Sequence, residues 1–202
     1  MCRVAAARLH RVIHQLGHLI DPTAHHEGNA MSDTDTASDT AFESGTAPRL
    51  DSASEPDPAT QRALAVALFN RVRELLEMVD RTAADDEELV NAAHASRHHW
   101  TSIGTPRHLA VGDWQIARVY STLGRPEPAV HHARLCLERA RLVTDEPWLL
   151  ASAYEGLARA YAASGDRAAA QEWKARAVAA LELVTDADDR EIVEQDIASL
   201  PV

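Results

Sequence analysis

ARVYSTLGRPEPA (residues 117–129) and ARAYAASGDRAAA (residues 158–170) are two versions of one pattern, and their likeness decides the fold. Ala117, Tyr120, Gly124 and Ala129 return as Ala158, Tyr161, Gly165 and Ala170, each displaced by 41 residues (117 to 158, 124 to 165). Similarity at a fixed period marks stacked supersecondary units. Within each unit small residues let two helices approach closely, and the glycine supplies the left-handed backbone that a tight interhelical turn demands. Cys136 maps onto Ala177 by the same step, which predicts two small buried residues at matching helix contacts.

Working outward, Thr105-Pro106 starts the first helix of the first unit. Upstream, Asp57-Pro58 is a cap followed by a first-turn proline. Leu64, Leu68, Val72, Leu75 and Val79 then recur at helical spacing, predicting a helix over 58–80. A second helix follows Asp85 and Asp86, carries Leu89, Ala93, Ser96, Trp100 and Ile103 on one stripe, and stops at Gly104. Downstream, Asp188, Asp189 and Arg190 open a short last helix whose Ile192, Val193, Ile197 and Leu200 cover the apolar face of the final unit. The expected fold is all-α over 58–202: antiparallel helical hairpins stacked as a short right-handed solenoid, with a C-terminal closing helix.

The small residue, the aromatic three later, the glycine at the turn and the alanine five beyond it resemble the tetratricopeptide pattern over roughly residues 106–184. The period exceeds the usual ~34 residues because the link LVTDEPW and the flanking helix ends are longer. Tyr154 occupies the place of the early large aromatic in the second unit, whereas Asp113 stands there in the first. The chain is also similar to an uncharacterised group of bacterial helical-repeat proteins. HASRHHW (94–100), the Trp114-x-x-x-Arg118 segment and EPAVHHARLCLE (127–138) carry that similarity. It brings no activity, but it ties His94–Trp100 to Trp114–Arg118.

Composition narrows the function classes. Of 202 residues 46% are hydrophobic but only 4% aromatic, and Lys174 is the only lysine, which fits tightly packed Ala- and Arg-rich helices rather than a sheet. A formal charge of −11 argues against nucleic acid or an anionic membrane as a general partner, since phosphates are gripped by clustered cations. Cys2 and Cys136 alone make neither a disulfide framework nor a zinc knuckle, and a reducing cytoplasm is the expected compartment. Residues 1–20 carry Arg and His but no acid and make a poor secretory signal, and Met31 stands as an alternative start. From Ser32 to Asp57 seven acids face Arg49 alone, with almost no large apolar side chains, so 1–57 is expected to be a disordered N-terminal segment.

In tetratricopeptide stacks the first helix of each unit lines a concave surface, and that resemblance places two matched rows in one groove. One is Arg107, Val111, Trp114 and Arg118; the other, 41 residues on, is Trp148, Ser152, Glu155 and Arg159. Arginine offers a planar fork of donors to a carboxylate or phosphate, and tryptophan offers apolar area that a peptide can cover. A protein or peptide segment with an acidic group or free C-terminus suits Arg107, Trp114, Arg118, Trp148, Glu155 and Arg159. The same charges can instead satisfy one another, because Glu155 lies four residues before Arg159 and across from Arg118.

His94 and His98, four apart on one helix face, are the weak metal candidates, without a third ligand at a telling distance. Packing beside Trp100 explains them without metal. No nucleophile-base pair, glycine-rich phosphate loop or paired acids are evident. The expectation is therefore a protein-interaction module, an adaptor or regulator, with no cofactor and no catalysis. The alternatives are a homo-oligomeric structural protein and a cryptic metal-dependent enzyme using His94 and His98.

Overall fold

The computed structural model describes residues 56–202, and among them are seven helices and no strand. They are α1 (Pro58–Glu77), α2 (Ala83–Ile103), α3 (Pro106–Thr122), α4 (Pro126–Ala140), α5 (Pro147–Ala163), α6 (Arg167–Leu181) and α7 (Ala187–Ala198). The expectations of a disordered tail and an alternative start at Met31 fall on residues 1–55, outside the described residues.

Polar caps or first-turn prolines start the helices. The Asp57 carboxylate accepts the N–H groups of Ala59 and Thr60 at 2.9 and 3.1 Å, and the Asp186 carboxylate does the same for Asp188 and Asp189 at 3.0 Å. Thr82 and Asp85 form a reciprocal capping box. Pro106, Pro126 and Pro147 sit in first turns, where a missing N–H costs nothing. Between α3 and α4, and again between α5 and α6, Gly124 and Gly165 take φ values of +64° and +81°. Nothing lies within 4 Å of a Cβ added at either, so conformation and not space demands glycine there.

Consecutive helices pair as α1–α2, α3–α4 and α5–α6, the all-helical architecture that the periodicity predicts. α3 also packs on α2 and α5, α4 packs on α5, and α7 packs on α5 and α6. α3 and α5 are therefore central: α3 buries every residue from Ala110 to Ala117, and α5 buries Glu155 to Ala158 in succession. Ala117, Ala158, Ala133, Cys136 and Ala177 are all buried at helix contacts, as the repeat requires. Burial pushes the Cys136 thiol well above its ordinary range, so it packs as a small hydrophobe. No helix among the described residues is long and apolar enough to cross a membrane.

Two details of α1 correct the expectation. The helix ends at Glu77 rather than at 80, because Met78 turns to extended backbone. Arg81 caps the exit: its guanidinium donates to the carbonyls of Leu75 and Met78, both at 3.3 Å, and to Asp86 at 2.8 Å. Val79 consequently stands 72% exposed. The buried face is also rotated, with Ala65, Phe69, Val72 and Leu75 inward and Leu64 on the surface. Ser96 of α2 donates to the carbonyl of Ala65 at 2.8 Å, an approach of side chain to backbone that needs a small residue at the contact.

Candidate functional site

The two rows predicted from the repeat meet at the α3–α5 contact. Trp114 and Trp148 are both buried, and the Trp114 ring lies 3.4 Å from the position a Cβ on Gly156 would take. The slot bounded by Val111, Trp114, Trp148, Leu149 and Ser152 holds about 10 Å³, at the lower limit for one water molecule. The indoles therefore pack as core here.

The charges of the row converge on neighbours outside it. Arg118, over the Trp114 ring at 5.4 Å, pairs with Asp196 of α7 at 2.8 Å, and both side chains are at most 10% exposed. Burial acts to lower the Arg118 pKa, but Asp196 and Glu155 outweigh it and the net shift is upward, so the guanidinium stays charged. Arg159 donates to Glu155 at 2.7 Å, to the Asp196 carbonyl at 3.1 Å and to the Ser199 hydroxyl at 2.7 Å. Glu155 is fully buried, and its second carboxylate oxygen has no hydrogen-bond partner among the described residues. At the far end Arg107 donates to Glu146 at 2.6 Å and covers the Trp148 ring at 5.7 Å. The Trp148 N–H shares that Glu146 oxygen at 3.0 Å. Thus the structure brings Arg118, Glu155 and Arg159 together under α7, and joins Arg107 to Trp148 through Glu146.

Sequence reasoning missed Asp196, Ser199 and Glu146 as partners of these arginines. A signal was present at Asp196, a carboxylate set inside the apolar stripe of Ile192, Val193 and Ile197. Such a buried acid requires a cation.

A second cluster, also missed, lies where α2, α3 and α4 meet. Asp113, at the position of the absent repeat aromatic, is 1% exposed. Its Oδ2 receives Arg97 Nε of α2 at 3.3 Å and Arg139 Nη1 of α4 at 2.7 Å. Its Oδ1 faces His132 Nδ1 at 3.1 Å. Arg97 reaches it by crossing α3 over Gly112, where a Cβ would stand 2.6 Å from the Arg97 Cδ. Beside the cluster, His94 Nε2 and the Tyr120 hydroxyl are 2.9 Å apart, and the His94 ring lies edge-on to His132 at 5.3 Å between centroids. Burial, and then the neighbouring His132, lower the pKa of His94. His94 and Arg97 of the 94–100 segment meet Tyr120 and Asp113, which flank 114–118, through contacts that spacing could not assign.

The structure does not gather His94 and His98 around a common third ligand. His98 is exposed next to His99, while His94 turns to Tyr120 and His132. Among the described residues no group of three or more His, Cys, Asp or Glu is arranged to hold a metal ion. No family model matches the chain, and no curated protein or solved structure matches it either.

Proposed function

We propose that this protein is a tetratricopeptide-like interaction module whose arginine row recognises an acidic helical segment, and that α7 is the segment occupying the row in the free chain. One observation supports this reading above the others. Arg118 and Arg159 converge on Asp196, one through its carboxylate and the other through its carbonyl and the following Ser199. A carboxylate, a helix C-terminal carbonyl and an apolar stripe are what the row takes in cis, and they define what a partner presents in trans. In this reading the row uses its side chains to bind and orient.

Trans-complementation tests the proposal. A chain truncated after Thr185 is titrated with a labelled peptide of residues 186–202, followed by fluorescence anisotropy and by recovery of cooperative unfolding. Saturable binding is expected, with loss in an Arg118→Met/Arg159→Met background that keeps side-chain bulk. Binding that is absent, or indifferent to those two replacements, overturns the proposal. Proteins captured by the truncated chain and released by the peptide are then the partners in trans.

A further inference from the structure

The two buried ion clusters differ in their charge count. Under α7, Arg118 and Arg159 face two carboxyl groups, Asp196 and Glu155. Around Asp113 one carboxylate faces Arg97 and Arg139, with His132 on its other oxygen. That cluster carries one surplus positive charge, and a second whenever His132 is protonated. Arg97 donates to Oδ2 and gives another N–H to Thr101 at 3.1 Å, while Arg139 is ion-paired with the same oxygen and donates to the Leu135 carbonyl at 3.1 Å. A guanidinium has five N–H donors, so most remain.

Exposure gives the arrangement a direction. The Asp113 side chain is 2% exposed, whereas Arg97, His132 and Arg139 keep 16%, 15% and 25%. The carboxylate is a floor, and the cations form a rim at the seam between α2 and α4. His94 and Tyr120 extend that rim, and exposed His131 adds an edge contact to His132 at 5.1 Å. Gly112 leaves the room for Arg97 at a helix-propensity cost that an alanine would avoid.

We propose that this rim is a binding site for a compact oxyanion, a phosphate or carboxylate group of a ligand, with Arg97, Arg139 and His132 as donors and Asp113 fixing their geometry. The floor carboxylate orients the two forks and neutralises one of them, and the bound anion takes up the remaining charge. It is independent of the row under α7, so either proposal can fail alone.

The test uses the full-length chain, with inorganic phosphate and acetate as probes, and follows the histidine ring protons by NMR. The expected result is a saturable shift of the His132 and His94 signals in the millimolar range. Arg139→Gln should weaken binding at least tenfold. Asp113→Asn should strengthen it severalfold, since the internal carboxylate competes with the ligand for the same donors; a purely structural cluster has no reason to gain affinity. Should Arg139→Gln fail to fold by circular dichroism, Arg139→Lys, which keeps the charge and loses the fork, takes its place with the same expectation. Tenfold preference for phosphate assigns a phosphate group, and equal or reversed affinity assigns a carboxylate. Shifts that never saturate with either probe, or that are unchanged in both the Arg139 and Asp113 variants, overturn the site.

Discussion

Gly124 and Gly165 are glycines for conformation, and Gly112 is one for space, which makes opposite predictions for substitution. Valine at 124 or 165 must adopt positive φ with no compensating contact, so each should lose roughly 1–2 kcal/mol in urea unfolding. Alanine at 112 gains roughly 1 kcal/mol of helix propensity but displaces Arg97 from Asp113, leaving a buried carboxylate short of one cation. A net loss is expected. In an Arg97→Ala background the same replacement should become stabilising, a reversal of sign that a double-mutant cycle measures. His108 supplies a pH dependence. Its ring stacks on Trp100 at 4.2 Å, and its Nδ1 accepts the Thr105 N–H at 3.2 Å, closing the α3 N-terminus. Burial first, then Arg107 and Arg62, push its pKa down from 6.5 to about 4. The folded chain thus binds fewer protons than the unfolded one, so this contribution is complete above pH 6.5 and is lost as pH falls through about 4. The full shift corresponds to about 3 kcal/mol, and partial exposure to solvent reduces it to roughly 1–2 kcal/mol. His108→Gln, which retains an acceptor for the cap, should unfold in urea with a visibly shallower decline between pH 7 and 4.5. Capping prolines, turn glycines and small contact residues were legible in the sequence because each acts through its own backbone. Asp113 was visible only as a missing aromatic, since its partners come from helices 16 and 26 residues away (113 minus 97, 139 minus 113).

At the scale of an element, α7 shows what periodicity conveys and what it leaves out. Ile192, Val193, Ile197 and Leu200 do become buried, so the closing helix was readable as an apolar stripe with an acidic start. That Asp196 meets Arg118 was not, because the pair spans 78 residues and no local rule sets that register. The same gap explains α1. Spacing predicted a stripe through Leu64 and Val79, but neighbouring stripes on one helix have similar spacing, and the small contact at Ala65 decided which faced α2. Breaking the α7 clamp tests its energetics. Asp196→Ala leaves Arg118 buried without its carboxylate and should cost roughly 3–5 kcal/mol. Replacing both partners together, Arg118→Met with Asp196→Leu, removes the desolvation of two ions along with their attraction and should come within roughly 1 kcal/mol of the parent. Urea midpoints of the three chains decide it; a double replacement as costly as Asp196→Ala would mean that α7 depends on the charges rather than on its apolar stripe.

For the whole molecule, the order of opening follows from which helices have neighbours on both sides. α3 is packed by α2, α4 and α5, and α5 by α3, α4, α6 and α7. α1 is covered mainly by α2, and its outer side carries Leu64 at 40% exposure. Between α1 and α2, a groove of about 450 Å³ lined by residues including Leu68, Arg71, Ala84, Glu88 and Ala95 is open to solvent. The Arg71–Glu88 pair at 2.7 Å bridges α1 and α2 on that side, but both residues are over 40% exposed, so it contributes little. Interior contacts that hold the first hairpin to the rest include Gln115 Nε2 donating to the Phe69 carbonyl at 3.1 Å, Arg97 on Asp113, the Trp100–His108 stack, and the apolar cluster of Val72, Leu75, Leu89, Ile116 and Val119. The opposite end is clamped across the chain, because Arg118 of the second hairpin holds α7 behind the third. Native-state hydrogen exchange should therefore find the amides of α3 and α5 opening only with global unfolding, and those of α1 opening at least ~2 kcal/mol below it. Asp196→Ala should bring α7 and α6 down toward the α1 level and leave α1 itself where it was. A single exchange free energy across all seven helices would show instead that the first hairpin is as fully committed as the centre, and that the open groove between α1 and α2 weakens nothing.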